Sequence, residues 1–333
     1  MISQSGSLEI QANSRFNNLL SGVLFVALGS SSYGMLSTFV KLAYKQNFTT
    51  AEVTISQVIW GVLILTIMNG LFNKTAEKMK SQDLRHLLIA GLPVGLTSVL
   101  YYSSVKYIDA SVAVVLLMQS VWMGIVVESI RSKRAPGFEK LLAVMIVLFG
   151  TLMATNVFGA SHKLDMRGVV LAVLSAMSFS WALASTQSVA AHLHPIKRSQ
   201  IMMFGACIIV GIFGFLTQLG PYYLNVHVLS EEFTRNQAFD FSIFLSYGFI
   251  IAVFGTVIPP IMLNKGFPIV GVGLGSIISA VELPFAMTIS FLVLNENVVG
   301  TQWLGAMIII IAIVLLNYKM TSPREKAPAS ASS

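Results

Sequence analysis

Long apolar runs alternate with short polar breaks from one end of the chain to the other. With a span of about 20 residues as the template, ten runs qualify: 18–42, 51–73, 84–106, 109–130, 138–157, 167–191, 197–219, 242–264, 270–294 and 299–319. Lipid offers the backbone no hydrogen bonds, so an apolar run of this length is expected to cross as a helix. Charged turns such as NKTAEKMKSQDLRH and RSKRAPG separate most of the runs, and the longest gap, GPYYLNVHVLSEEFTRNQAFD, follows the seventh. The predicted fold class is all-α and integral to the membrane, with ten transmembrane helices and no separate soluble domain.

Of the 333 residues, 55% are hydrophobic and 11% charged, against about 25% charged in an ordinary soluble domain. The net charge of +7 comes from short clusters between apolar runs. It forms no basic stripe with interleaved aromatics, so the expected partner is the lipid bilayer and not nucleic acid. The single cysteine, Cys207, excludes an internal disulfide and a cysteine-based metal site. The first run is longer than a signal-peptide core and lacks a small-x-small cleavage site near its end, so it reads as a retained helix. The tail TSPREKAPASASS is rich in Ser, Ala and Pro and is expected to be disordered.

Cytoplasmic loops carry an excess of Lys and Arg. With the N-terminus inside, the inner segments hold Arg15, Lys74, Lys78, Lys80, Arg85, Arg131, Lys133, Arg134, Lys140, Lys197, Arg198, Lys265, Lys319, Arg324 and Lys326. The outer segments hold only Lys41, Lys45, Lys106, Lys163, Arg167 and Arg235. Both termini are therefore predicted to be cytoplasmic, in an inner or plasma membrane. The long gap, with Glu231, Glu232 and Asp240, falls outside.

The two halves repeat weakly but in order. SGVLFVALGSSSYG matched with RGVVLAVLSAMSFS pairs Gly22 with Gly168, Val23 with Val169, Leu28 with Leu174 and Ser32 with Ser178. Later, Gln119 falls opposite Glu282, Gly137 opposite Gly300 and Ala143 opposite Ala306. Five helices per half is an odd number, so the second half enters the membrane in the opposite sense, as an inverted repeat.

In GFPIVGVGLGSIISAVELPFAMTISFLVLNENVVGTQWLGAMIIIIAIVLL, a small-residue-rich helix is followed by Glu282 with Pro284, then Glu296, then Gly305. This arrangement resembles the EamA-type branch of the drug/metabolite transporter superfamily, over about residues 18–320. The resemblance implies a cytoplasmic N-terminal segment (1–17), two EamA-like five-helix repeats (18–157 and 167–320) and a cytoplasmic tail (321–333). It also implies a central cavity lined mainly by helices one, three, four, six, eight and nine, and transport of small metabolites or drugs, often outward. The first half departs from the pattern: Gln119 stands where a Glu is common, no Pro follows, and Lys133 replaces the second Glu.

The residues nominate a site independently. A carboxylate at membrane depth costs on the order of 3 kcal/mol on insertion scales, so Glu282 should face the bundle interior or water. No Lys or Arg falls in the predicted middle of a helix. Neutralisation would then come from a proton, a hydroxyl or amide donor, or a cationic substrate; structural glue beside a Pro284 kink is the competing role. Ser30, Tyr33 and Ser37 share one helical face, and Ser178, Trp181, Ser185 and Ser188 another. Serines alone also suit close packing. Tyr33 and Trp181 tilt the balance toward a ligand, because bulky amphipathic rings do not permit close approach. Thr97 with Tyr101 and Gln119 with Trp122 add further candidates, although an interfacial aromatic belt also accounts for Tyr101. Pro259 and Pro260, followed by Asn264, should kink or unwind helix eight, through function or packing alike. Gly91 with Gly95, and the GVGLG glycines, suit close helix crossings; GVGLG lacks the strand and Lys of a phosphate loop.

No serine and histidine meet at membrane depth, and His192 and His194 would point apart on a helix, so neither catalysis nor a metal is expected. No cofactor is implied. The expected function is a secondary transporter, exporting a small organic molecule by alternating access and coupled to protons through Glu282. The alternatives are an uncoupled exchanger of amino acids or similar solutes, or a membrane receptor.

Overall fold

A computed structural model describes residues 2–72, 79–108, 110–154, 165–230, 233–294 and 298–321. The first half holds α1 (Ile2–Lys45), α2 (Thr50–Phe72), α3 (Ser81–Ser104), α4 (Ala110–Leu117), α5 (Ser120–Ser132) and α6 (Phe138–Ala154). The second holds α7 (Met166–Ser188), α8 (Pro195–Gly214), α9 (Gly220–Leu224), α10 (Ser242–Leu245), α11 (Tyr247–Ala252), α12 (Ile258–Val270), α13 (Val272–Ser279), α14 (Glu282–Leu294) and α15 (Gly300–Thr321). Wider π-helical turns at Phe215–Leu219 and Val253–Val257 join α8 to α9 and α11 to α12. No strand occurs among the described residues.

Among the described residues, seven helical runs are long and apolar enough to cross a bilayer: 17–45, 50–72, 81–104, 166–188, 195–224, 247–270 and 272–293. The other apolar stretches are shorter or interrupted. The α6 helix has 17 residues, and the predicted fourth run is split between α4 and α5 by turns at Met118 and Gln119. The predicted ninth run is bent in the same way at Ala280 and Val281. The register that sets Gln119 against Glu282 brings these two bends within one residue of each other.

The polar start of the chain is helical and continuous with the first span, since from Ile2 to Asn18 there is no Pro and one Gly. A boundary expected between 264 and 270 is absent. The chain stays helical to Val270, with the Lys265 ammonium 5.2 Å from the Phe25 ring centroid, and turns at Gly271 with φ 83°. That conformation favours glycine, which has no Cβ to clash.

Pro93 lies inside α3 and Pro268 inside α12, whereas the prolines singled out in the sequence sit at helix starts. Pro284 occupies the first turn of α14, where its missing N–H deprives the helix of nothing. Pro259 and Pro260 likewise open α12, directly after the π-turn. The expected disruption of helix eight thus takes the form of a widened turn at Val253–Val257.

The extensive helix pairings mostly join one half to the other: α3 with α7 and α8, α1 with α12 and α14, α6 with α15, α2 with α8, and α5 with α13. Glycines set the closest of these crossings. A Cβ on Gly91 would overlap the Met202 carbonyl, one on Gly205 the Leu88 carbonyl, and one on Gly95 would lie 2.6 Å from the Ala206 oxygen. Two apolar cores flank the centre. One gathers side chains such as Val121, Val147, Ile277 and Ile309 from α5, α6, α13 and α15. The other gathers Val58, Leu65, Val99 and Met203 from α2, α3 and α8.

Candidate functional site

Between the two cores lies a cavity of about 90 Å³. Its walls come from α1, α2, α3, α4, α7, α8, the second π-turn, α12 and α14. Helices from both halves therefore face it. Of the residues singled out in the sequence, Tyr33, Thr97, Tyr101, Pro260, Asn264 and Glu282 line this space.

Each is placed by local structure. Glu282 is the first residue of α14. The α1 helix reaches it closely because Gly34 has no side chain: a Cβ there would lie 2.5 Å from the Glu282 carbonyl oxygen. The Tyr33 ring meets Phe179 of α7 edge to face, centroids 5.8 Å apart. Tyr101 and Tyr102 pack at 5.9 Å on α3, and the Tyr102 hydroxyl is 3.4 Å from Gln57 Oε1. Thr97 Oγ1 donates to the Pro93 carbonyl at 2.7 Å.

Among the described residues, two shielded acceptors in this cavity have no hydrogen-bond partner, Glu282 Oε2 and Asn264 Oδ1. Asn264 is held by its other groups: its Nδ2 donates to Ser199 Oγ at 3.0 Å, and its carbonyl accepts from Arg198 Nη1 at 2.8 Å. Buried polar atoms are ordinarily satisfied. An acceptor left open on a rigidly held side chain is suited to a donor that arrives from outside.

Arg198 was placed by the charge pattern in an inner turn, yet it lies in α8 with 1% of its surface exposed. Its guanidinium donates to the carbonyls of Val189, Asn264 and Thr186. It thereby ties the end of α7 to α8 and α12 beneath the cavity wall formed by Thr186, Ser199 and Asn264.

The other candidates lie elsewhere. Ser30 is buried in α1 away from the cavity. Ser178 Oγ donates to the Pro93 carbonyl at 2.8 Å and Ser185 Oγ to the Trp181 carbonyl at 2.9 Å. Trp181 is 64% exposed and, with Ser185, borders a separate lateral crevice of about 390 Å³ beside His86 and Arg131. Trp122 also faces outward, and its indole donates to Gln119 Oε1 at 2.9 Å. Pro259 is buried next to the lining residue Pro260. The Ser37 side chain and Glu296 are outside the described residues.

Sequence reasoning passed over Gln57, Tyr102, Thr186, Ser199 and Thr256, all of which line the cavity. Gln57, an amide inside an apolar run, carried a readable signal; the hydroxyl residues carried none that separates lining from packing. The structure also adds α2 and α8 to the walls expected from the resemblance.

The sequence profile of the EamA-like transporter family matches residues 20–156 and again 166–318. The chain belongs to the EamA-like transporter family. This EamA-like transporter is therefore a multi-pass membrane protein. Among solved structures, one recorded as the crystal structure of a protein aligns over 90% of this chain and 98% of its own, at 13% identity and a TM-score of 0.66. That likeness concerns the fold alone. None of the curated proteins matches the chain significantly.

Proposed function

We propose that this EamA-like transporter is a secondary exporter of the cell membrane. In this reading two inverted five-helix repeats make ten crossings with both termini cytoplasmic, and a small organic solute passes by alternating access. The observation that carries the reading is the pair of open acceptors, Glu282 Oε2 and Asn264 Oδ1, in one cavity walled by both halves. A solute that brings donors, such as an ammonium or amide, would complete them, while Tyr33, Tyr101 and Phe179 suit an apolar body. A shielded carboxylate with no cation beside it among the described residues is stable only when a proton or a cationic solute neutralises it. Competition between the two at Glu282 couples export to proton entry. The candidate residues away from the cavity, including Trp181, Trp122 and Gln119, have supporting roles in packing and lipid contact.

The cross-half pairings support moving bodies that mix the repeats, one around α2, α3 and α8 and one around α5, α6, α13 and α15. At about 90 Å³ the cavity is smaller than the roughly 300 Å³ at which ligand pockets begin, so loading requires these bodies to part.

Purified protein in liposomes tests the reading by counterflow of labelled amines and amino acids, with and without an imposed pH gradient. The expected result is counterflow above protein-free liposomes and accumulation driven by the gradient alone. Glu282→Gln is expected to abolish gradient-driven accumulation. A variant with the wild-type rate and pH dependence removes Glu282 as the coupling site. Exchange without gradient-driven accumulation identifies an uncoupled exchanger, and absence of counterflow removes the transport reading.

A further inference from the structure

A second polar pocket, of about 290 Å³, lies at the predicted outer end, between the start of α2, the end of α3 and the segment that follows α9. Two cations face it, Lys106 and Arg235, together with Asn47, Thr49, Thr50 and Gln237. Among the described residues, no carboxylate lines it. Neither cation has an ion-pair partner among the described residues. Burial and the neighbouring Arg235 guanidinium both push the Lys106 ammonium below its ordinary pKa.

Two acidic residues among the described ones, Glu52 and Asp240, are engaged elsewhere. Glu52, fully buried behind the Thr49 wall, accepts from the Thr49 N–H at 2.7 Å, from Gln218 Nε2 at 2.8 Å and from the Asp240 N–H at 2.9 Å. The Asp240 carboxylate accepts from the Ser242 N–H at 2.9 Å.

The chain segments that carry the two cations are also anchored. The Arg235 N–H donates to the Thr217 carbonyl at 2.7 Å, pinning its segment to the first π-turn. Two residues earlier, the Phe233 ring packs on Tyr107 at 6.3 Å, next to Lys106. Like charges held together in a pocket raise the energy of the empty site and favour whatever anion enters it. Donors surround them, including the Asn47 and Gln237 amides and the Thr50 hydroxyl, which itself lies 3.2 Å from the Tyr44 hydroxyl.

We propose that Lys106 and Arg235 form an oxyanion site that takes the phosphate group of a free anion or of a lipid headgroup. Tyr44 forms part of the pocket wall and packs in the same aromatic cluster as Tyr101 and Tyr102 of the central cavity. An anion bound there would sit one aromatic cluster away from the central cavity.

Binding of inorganic phosphate to the delipidated protein in detergent, followed by calorimetric titration, tests the free-anion source. Phosphatidylglycerol retained on the protein from nanodiscs, counted by native mass spectrometry, tests the lipid source. The expected result is saturable binding in at least one arm. Lys106→Gln and Arg235→Gln should each weaken it about tenfold or more, Lys106→Arg should retain it, and Lys133→Gln, at the other end, should leave it unchanged. Added salt should weaken it. Phosphate binding in detergent assigns the site to a free anion; retention of phosphatidylglycerol alone assigns it to lipid. Binding in neither arm, or equal binding by wild type and both Gln variants, overturns the proposal. Because the readout is binding, it stands apart from the success or failure of the transport assay.

Discussion

Arg198 is the largest fully shielded side chain of the described structure, and its partners are carbonyls, not a carboxylate. Replacing it with Met would leave three acceptors without donors, and breaking such a buried charged network costs on the order of 3 kcal/mol. Arg198→Met is expected to lower the melting temperature in detergent, and Arg198→Lys to recover only part, because one ammonium cannot reproduce the planar fork. A melt equal to wild type for Arg198→Met would deny the tie any structural weight. This residue was illegible in the sequence because Lys197 stands beside it, and two adjacent cations at the end of a run look like a loop. Trp181 misled in the opposite direction. A tryptophan on a lipid-facing surface and one in a cavity produce the same helical spacing with serine, and only packing separates them. Ser178 and Ser185 are alike in this respect, since each hydroxyl bonds to a backbone carbonyl that the spacing does not reveal. Glu282 and Asn264 were readable because a polar group within an apolar run must be compensated somewhere.

Among elements, apolar run length located the helices well, while their interruptions were harder to place. The Glu-Leu-Pro element at 282–284 reads as a break at the proline, yet the bend precedes it and the proline lies in the first turn of the next helix. A proline's ring disturbs the turn before it, so the visible residue and the site of the break differ by a few positions. The bend at Met118 and Gln119 has no proline, and no local signal marked it. The glycines of α3 were legible as contact points, and the structure gives them a partner in α8. Gly91→Val should therefore separate α3 from α8 and destabilise by about 1–3 kcal/mol or more, read as lost monodisperse protein in detergent. Gly70→Val is the matched control, because a Cβ at Gly70 meets no atom within 4 Å. Equal behaviour of the two variants would mean that the α3–α8 contact is not the close one.

For the whole molecule, orientation is the property to measure. With both termini cytoplasmic, a membrane-impermeant maleimide applied to intact cells should label a cysteine placed at Lys45 and spare one placed at Lys133, in a Cys207→Ser background. The reverse pattern would invert the topology and move the Lys106–Arg235 pocket to the inner face.

The interlaced pairing of the halves has a consequence for synthesis. Until α8 emerges, α3 has no helix to cover its glycine face, and until α12 and α14 emerge, α1 lacks its two main neighbours. Some 60 residues separate α6 from the end of α8, which takes about 3–12 seconds at about 5–20 residues per second. During that interval the first half is an unfinished surface that must be shielded by lipid or by the insertion machinery. Residues 1–164 expressed alone should be degraded, and co-expression with residues 165–333 should rescue them. The smallest unit able to mature is then the pair of repeats, whether or not one polypeptide joins them.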